Sequence, residues 1–145
     1  RDPMAMRPFT GYDMGDYFGH WLEMGKNIPN PPKIFHVNWF RTDADGHFIW
    51  PGFGDNMRVL LWILARCEGK VDARETAIGY VPYAKDINIE GLDITEDTVN
   101  ELLSVDNEAW LADVENIKEF YDMIGGTVPC ELREELSALK ARLSK

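Results

Sequence analysis

The stretch from residue 39 to residue 56 holds five aromatic side chains and one asparagine within eighteen positions. Gly52 and Gly54 flank Phe53, and glycine lets the backbone fold closely around that ring. Aromatic rings at the ends of a hairpin and in a glycine loop can sandwich a flat ligand. The side-chain amide of Asn56 offers the edge of such a ligand both a donor and an acceptor. The pattern therefore predicts a base-binding loop.

A short β-hairpin is predicted to position these rings. Residues 34–40 have the composition of a strand, residues 41–46 form its polar turn, and residues 47–50 form the returning strand. Pro51 ends the pairing because it has no N–H to donate. Asp55 then opens a helix as a side-chain cap. The rings would thus lie at the end of the hairpin and in the loop that follows it.

The same rings are also compatible with an ordinary hydrophobic core. Along the first predicted strand, Phe35, Val37 and Trp39 point to one face, whereas Phe40 points to the other. One face of the hairpin can belong to the core and the other to a pocket. The residues alone leave both interpretations open.

Metal and nucleophile sites are not indicated by the spacing of the candidate residues. Residues 42–46 are similar to half of a calcium loop, but the glycine arrives too early, and Gly54 stands at the twelfth position, where a glutamate is required. A polar hairpin turn is predicted instead. No nucleophile–base pair and no phosphate-binding Gly-x-x-x-x-Gly-Lys-Ser/Thr motif is present. The histidines lack zinc-ligand spacing, so packing or surface roles are predicted for His20, His36 and His47.

The rest of the chain is predicted to be mostly helical. A further short strand is predicted over residues 77–81. The predicted class is therefore α+β: a mostly helical segment with a short β-hairpin and one further short strand. The predicted helices begin at Asp13, Asp55, Thr95, Asp106 and Pro129, with glycine ends at Gly25, Gly69 and Gly125. The last two helices carry apolar stripes, formed by Trp110, Val114, Ile117, Tyr121 and Ile124 and by Leu132, Leu136, Leu139 and Leu143.

Charge and composition exclude several classes of partner. The chain has 145 residues and a net charge of −10. Residues 1–66 carry seven basic and seven acidic side chains, so residues 67–145 hold the whole imbalance, with eight basic and eighteen acidic. Such a chain repels phosphate backbones, and no nucleic-acid partner is expected. No apolar run approaches the roughly 20 residues of a membrane span, so no membrane partner is expected. Two cysteines without metal or redox spacing, Cys67 and Cys130, suit a reducing cytosol, and we expect a cytoplasmic protein.

Two long motifs stand out in the sequence. Residues 32–41 read Pro-Lys-Ile-Phe-His-Val-Asn-Trp-Phe-Arg, and residues 48–60 read Phe-Ile-Trp-Pro-Gly-Phe-Gly-Asp-Asn-Met-Arg-Val-Leu. With residues 2–9, 78–82 and 128–131, they resemble GTP-dependent phosphoenolpyruvate carboxykinase. The similarity runs in register along essentially the whole chain.

The resemblance implies an activity for the intact enzyme and a role for four residues. The family converts oxaloacetate and GTP to phosphoenolpyruvate, CO2 and GDP, a step of gluconeogenesis, with Mn2+ or Mg2+. Its three guanine-holding phenylalanines match Phe40, Phe48 and Phe53, and its pocket asparagine matches Asn56. GTP and GDP are thus the implied ligands. Whether the amide of Asn56 would meet the exocyclic amine or the carbonyl of guanine stays open.

The resemblance also implies that this chain is a piece of a longer enzyme. The family's phosphate-binding loop, metal ligands, oxaloacetate-binding arginines and reactive cysteine would lie upstream of Arg1, so no catalytic residue and no metal ligand is assigned here. Residues 1–145 are expected to be the C-terminal portion of the nucleotide-binding domain, in contact with the remainder of the enzyme. Alone, the segment is expected to be inactive, and either to self-associate or to be only marginally stable. The alternative is a non-catalytic acidic helical protein-interaction module. An ATP-using carboxykinase is disfavoured because the aromatic guanine clamp characterises the GTP family.

Overall fold

The computed structural model describes residues 5–145, which form two compact units. One contains the described residues up to 32 together with residues 106–145, and the other contains residues 33–105. The predicted α+β class, with mostly helical structure, is confirmed. In chain order the elements are α1 (Met14–Asn27), α2 (Asn56–Cys67), β1 (Arg74–Thr76), β2 (Gly79–Val81), α3 (Glu96–Leu102), α4 (Asn107–Ile124) and α5 (Cys130–Leu143), with short 3-10 turns at Arg7–Phe9, Phe53–Asp55 and Ala84–Asp86.

The unit that contains α1, α4 and α5 is a small helical layer. α4 and α5 pack against each other, and the two predicted apolar stripes are buried or half-buried along both helices. Phe120 was not part of the predicted α4 stripe, yet it is buried. Its ring meets Phe18 of α1 edge-on, with centroids 6.4 Å apart. The apolar face of α4 is therefore wider than its spacing predicted, because it packs against α1 as well as α5.

Most helix boundaries follow the predicted local hydrogen bonds. Asp13, Thr95 and Asp106 cap α1, α3 and α4, each accepting a backbone N–H of the first turn with a side-chain oxygen. Gly69 and Gly125 end α2 and α4 with φ angles of +70° and +94°, where a side chain would be strained.

Two predicted helix ends are wrong. α1 continues past Gly25 and ends where Pro29 disfavours helical geometry at Ile28, which has φ −92° and ψ 122°. The side chain of Asp55 does not cap α2. The 3-10 turn before α2 already places Asp55 in helical geometry, whereas a capping residue needs extended geometry. Its carboxylate instead accepts a hydrogen bond from Nε of Arg58 at 3.0 Å.

The β-hairpin predicted over residues 34–50 is wrong. The two segments meet in a single antiparallel bridge between Thr42 and Phe48 and form no strands. The backbone N–H of Phe40 donates to Oδ1 of Asn38 at 3.0 Å, which closes a local turn ahead of the bridge. Such a side-chain turn offers the backbone an alternative to strand geometry. The segment before the turn is therefore irregular.

The hairpin of this protein lies further along the chain. β1 pairs antiparallel with β2 in a register that places Arg74 opposite Val81. Gly79 opens β2 with φ +121°, which a side chain rarely adopts. The sequence predicted only one strand here, over residues 77–81, because β1 is short and polar.

The unit of residues 33–105 is organised around two buried tryptophans. Trp50 and Trp62 are 6% and 5% exposed, and a buried cluster joins them to Ala84, Ile87 and Val99. Trp39 packs against Trp50 with ring centroids 6.4 Å apart, and Phe35 meets Trp62 edge-on at 6.3 Å. Of the three residues predicted to share one face, Phe35 and Trp39 are thus in contact with the core, while the third, Val37, is exposed.

α2 is apolar on two opposite sides. Val59 and Ile63 pack against the buried cluster. The apolar residues of this helix are thus divided, since some of them meet the core and the others face outward. The outward part, called the α2 stripe below, consists of four exposed side chains on one face of the helix: Met57, Leu60, Leu61 and Leu64.

None of the described helices is long and apolar enough to cross a membrane.

Gly15 and Gly19 offer a matched pair of substitutions in α1. A Cβ at Gly15 would collide with the backbone carbonyl of Thr127, whereas a Cβ at Gly19 would meet nothing of residues 5–145 within 4 Å. We expect Gly15→Ala to lower the free energy of unfolding by about 1–3 kcal/mol through overpacking. Gly19→Ala should raise it by about 0.5–1 kcal/mol through helix propensity. Urea denaturation followed by circular dichroism measures both, and equal effects would contradict the close approach to Thr127.

Candidate nucleobase site

Phe40 and Phe48 lie side by side at the polar turn. The bridge between Thr42 and Phe48 brings the two segments together, and the two phenylalanine rings have centroids 5.9 Å apart at an interplanar angle of 62°. Phe40 is 71% exposed and Phe48 is 64% exposed. These two rings are therefore not core residues of this unit. They form an open aromatic corner at its surface.

Phe53 is presented separately by the glycine loop. Gly52 adopts φ +124° and ψ −168°, a backbone geometry that glycine alone adopts freely. The backbone N–H of Asp55 donates to the carbonyl of Gly52 at 3.1 Å, which closes the 3-10 turn. The ring of Phe53 is 92% exposed. The described residues give Phe53 no ring partner, so the structure pairs Phe40 with Phe48 and leaves the third predicted ring free.

Asn56 is the first residue of α2 and is half-buried. Its Oδ1 accepts a hydrogen bond from Nε1 of the buried Trp50 at 2.9 Å. Its Nδ2 has no hydrogen-bond partner within residues 5–145. The amide oxygen is therefore bonded to a core residue, and the amide nitrogen remains available as a hydrogen-bond donor.

Two arginines that were not singled out from the sequence bond the end of α3, and one of them adjoins the aromatic corner. Arg41, next to Phe40, donates from Nη1 to the carbonyl of Leu102 at 3.2 Å and from Nη2 to Oγ of Ser104 at 2.9 Å. Arg74 donates to the carbonyl of Leu103 at 3.0 Å. The last carbonyls of a helix are partly negative, so cations are favoured at the end of α3. The partners of Arg41 lie some sixty residues further along the chain, and sequence spacing carries no signal for such a contact.

The polar turn gathers the side chains of Asp43, Asp45 and His47. One ligand atom of each lies within 4.8 Å of the others, and all three residues are exposed. Oδ1 of Asp43 accepts the backbone N–H groups of Asp45 and His47, both at 2.9 Å. The hydrogen bond from the His47 backbone holds the pKa of the Asp43 carboxyl below its usual value. These bonds give the turn its shape, as predicted for a polar hairpin turn, although the sequence did not single out the grouping.

Comparison with known proteins places the chain in a family. The family model described as phosphoenolpyruvate carboxykinase C-terminal P-loop domain matches residues 1–142. The chain belongs to this family. It is 53% identical over 145 residues to the phosphoenolpyruvate carboxykinase [GTP] of Renibacterium salmoninarum, and 50% identical over 147 residues to that of Treponema pallidum. A third relative, from Anaeromyxobacter dehalogenans, is 47% identical over 143 residues.

The match covers nearly all of this chain but a minor part of each relative. The three carboxykinases align with 99% of this chain and with 24% of their own length. The chain thus spans about a quarter of the length of the curated relatives it matches. The family resemblance drawn from the motifs is confirmed.

The two cysteines of the chain are free and exposed. The Sγ of Cys130 lies 3.3 Å from a carboxylate oxygen of Glu131. That hydrogen bond, together with the negative charge, raises the pKa of the Cys130 thiol. A raised pKa disfavours the reactive thiolate. The structure thus gives Cys130 no environment of a catalytic nucleophile.

Proposed function

We propose that this chain forms the guanine-binding wall of a GTP-dependent phosphoenolpyruvate carboxykinase. The observation that carries the proposal is the set of three exposed phenylalanine rings together with an amide that presents a free donor. Phe40 and Phe53 would contact the base from around its ring, Phe48 would stack on it, and Asn56 would meet its edge. Exposed aromatic rings bind bases by stacking, and a polar group at the edge selects among them.

In this proposal the segment acts by positioning. The intact enzyme would convert oxaloacetate and GTP to phosphoenolpyruvate, CO2 and GDP with Mn2+ or Mg2+. We place the phosphate-binding loop, the metal ligands and the oxaloacetate site in the part of the enzyme outside this chain. Holding the base fixes where the γ-phosphoryl group lies relative to those parts, and phosphoryl transfer depends chiefly on such positioning. The segment alone would therefore give no turnover in a coupled assay with oxaloacetate, GTP and Mn2+.

The acidic interaction module is the less economical interpretation. Such a module would leave the three exposed phenylalanine rings without a role, and the relatives of this chain are named carboxykinases. We also propose a cytoplasmic location, because the two cysteines are free in the structure and suit a reducing compartment.

The first test replaces a ring of the clamp in the complete carboxykinase that contains this segment. Phe48→Ala should raise the dissociation constant for GTP by roughly tenfold to a hundredfold, since one aromatic–base contact is worth roughly 1–3 kcal/mol. Phe40→Ala and Phe53→Ala should act in the same direction. The constant for oxaloacetate should stay unchanged, because that site lies elsewhere. Equilibrium titration with each ligand measures both constants.

Phe9→Ala is the matched control for these variants. Phe9 is also an exposed phenylalanine, at 80%, but it lies in the other unit of the chain. Its replacement should leave the GTP constant unchanged. If Phe48→Ala binds GTP as tightly as the wild-type enzyme does, the base does not rest on these rings and the proposal is wrong.

Replacing Asn56 tests which atom of the base its amide meets. Because Oδ1 is bonded to Trp50, we expect Nδ2 to donate to the carbonyl that guanine and hypoxanthine share. Asn56→Ala should therefore raise the dissociation constants for GTP and for ITP by the same factor, about fivefold to fifteenfold for the loss of one hydrogen bond. Competition binding against a labelled nucleotide gives the two constants. A loss confined to GTP would place the amide at the exocyclic amine instead.

The α2 stripe is the surface that we propose for contact with the rest of the enzyme. The curated relatives of this chain are about four times as long as the chain itself. The four apolar side chains of the α2 stripe are neighbours on one helix face, and all four are exposed. Without that cover, the isolated segment should self-associate, because contiguous apolar patches drive association. Light scattering over a concentration series should show a rising mean mass. Leu61→Lys together with Leu64→Lys should reduce it, and a strictly monomeric wild-type segment would refute the proposal.

A further inference from the structure

Trp50 holds the side chain of Asn56 in one orientation. The indole nitrogen is a donor and never an acceptor, so of the two ends of the amide only the oxygen can face it. The bond from Trp50 Nε1 to Asn56 Oδ1 is 2.9 Å long. Trp50 is 6% exposed and packs against Trp39. Its ring cannot turn away from Asn56 without opening the buried cluster.

The other end of the amide faces away from Trp50. Asn56 Nδ2 has no hydrogen-bond partner anywhere in the part of the chain that the structure describes, and Asn56 is only half-buried. An amide that was free to rotate could present its oxygen as readily as its nitrogen. Here the oxygen is turned toward Trp50, so the side chain presents its two N–H donors on the other side.

We propose that Trp50 is a positioning residue that decides which purines the site accepts. The inference rests on the proposed function, in which Asn56 meets the edge of the base. A purine with a carbonyl at C6 offers an acceptor to the N–H groups of Asn56, whereas a purine with an amino group at C6 opposes them with further donors. Opposed donors remain unpaired, which lowers affinity. Trp50 therefore excludes 6-aminopurines without contacting the base.

The structure supplies a close control for this role. Trp62 is 5% exposed and belongs to the same buried cluster as Trp50, but its Nε1 has no hydrogen-bond partner among the described residues. Trp62→Phe and Trp50→Phe thus remove the same atoms from similar surroundings. Only Trp50→Phe removes a hydrogen bond to Asn56. A difference between the two variants in nucleotide preference reports that bond rather than the loss of ring volume.

The experiment measures dissociation constants for GDP, IDP and ADP by isothermal titration calorimetry on the complete carboxykinase. Trp50→Phe should narrow the ratio of the ADP constant to the GDP constant by about tenfold, because the freed amide can turn its oxygen toward the amino group. Trp62→Phe should leave that ratio within about twofold of the wild-type value. In the Asn56→Ala background, Trp50→Phe should change the ratio no further. An unchanged ratio in Trp50→Phe, or an equal change in Trp62→Phe, overturns the inference.

Asn56→Asp provides a second test if Trp50→Phe does not fold. Aspartate can still accept the bond from Trp50 but has no N–H to present, so the ratio of the ADP constant to the GDP constant should again narrow by about tenfold. An unchanged ratio in this variant also overturns the inference. The proposed function is judged separately by Phe48→Ala. If Phe48→Ala weakens GDP binding while the ratio of the ADP constant to the GDP constant is unchanged in Trp50→Phe, the proposed function is supported and the proposed role of Trp50 is wrong.

Discussion

A buried indole carries a large apolar ring and one N–H donor, and residues 33–105 depend on burying two of them. Trp50 finds an acceptor in Asn56, whereas Nε1 of Trp62 finds none among the described residues. An unpaired buried donor costs about 1–3 kcal/mol. Burying a ring of 150–250 Å2 contributes roughly 4–6 kcal/mol. The apolar term is therefore the larger one for Trp62, and the ring stays inside although its N–H is unpaired. For Trp50 both terms favour burial.

The site is built from the aromatic residues that the core does not bury. Trp39 and Trp50 pack inward, while Phe40, Phe48 and Phe53 remain open to solvent. Each exposed phenylalanine forgoes about 1.5–3 kcal/mol that burial would provide. Local backbone features hold the rings out: the side chain of Asn38 bonds the N–H of Phe40, and the loop at Gly52 turns Phe53 outward. Binding a flat ligand would recover part of the forgone apolar stabilisation.

Local features of this fold could be predicted from the sequence, and non-local ones could not. Capping by Asp13, Thr95 and Asp106 depends on donors within three residues, so the sequence contains all the information needed. The same holds for the glycine ends of α2 and α4. The candidate site residues were recognised by residue type and by family resemblance, and the structure shows which of them lie together.

The wrong predictions share a cause in competition between partners. The segment before Phe40 has strand-forming residues, but the side chain of Asn38 bonds the N–H of Phe40 in a local turn. The side chain of Asp55 is of a type that can cap a helix, but its carboxylate accepts a hydrogen bond from Arg58 instead. Arg41 and its acceptors near the end of α3 meet only in the folded chain. Composition and spacing name the groups that can bond, and tertiary structure selects among them.

The geometry of Gly52 has a consequence for how such a site can change during evolution. Phe53 owes its outward position to a neighbour that contributes no side chain of its own, held at φ +124° and ψ −168°. Any other residue at position 52 would be strained there, so nearly every mutation at that codon would displace the ring. Position 53 itself admits other flat side chains without disturbing the backbone. A change of ligand would therefore evolve more readily by substitution of Phe53 than by substitution of Gly52.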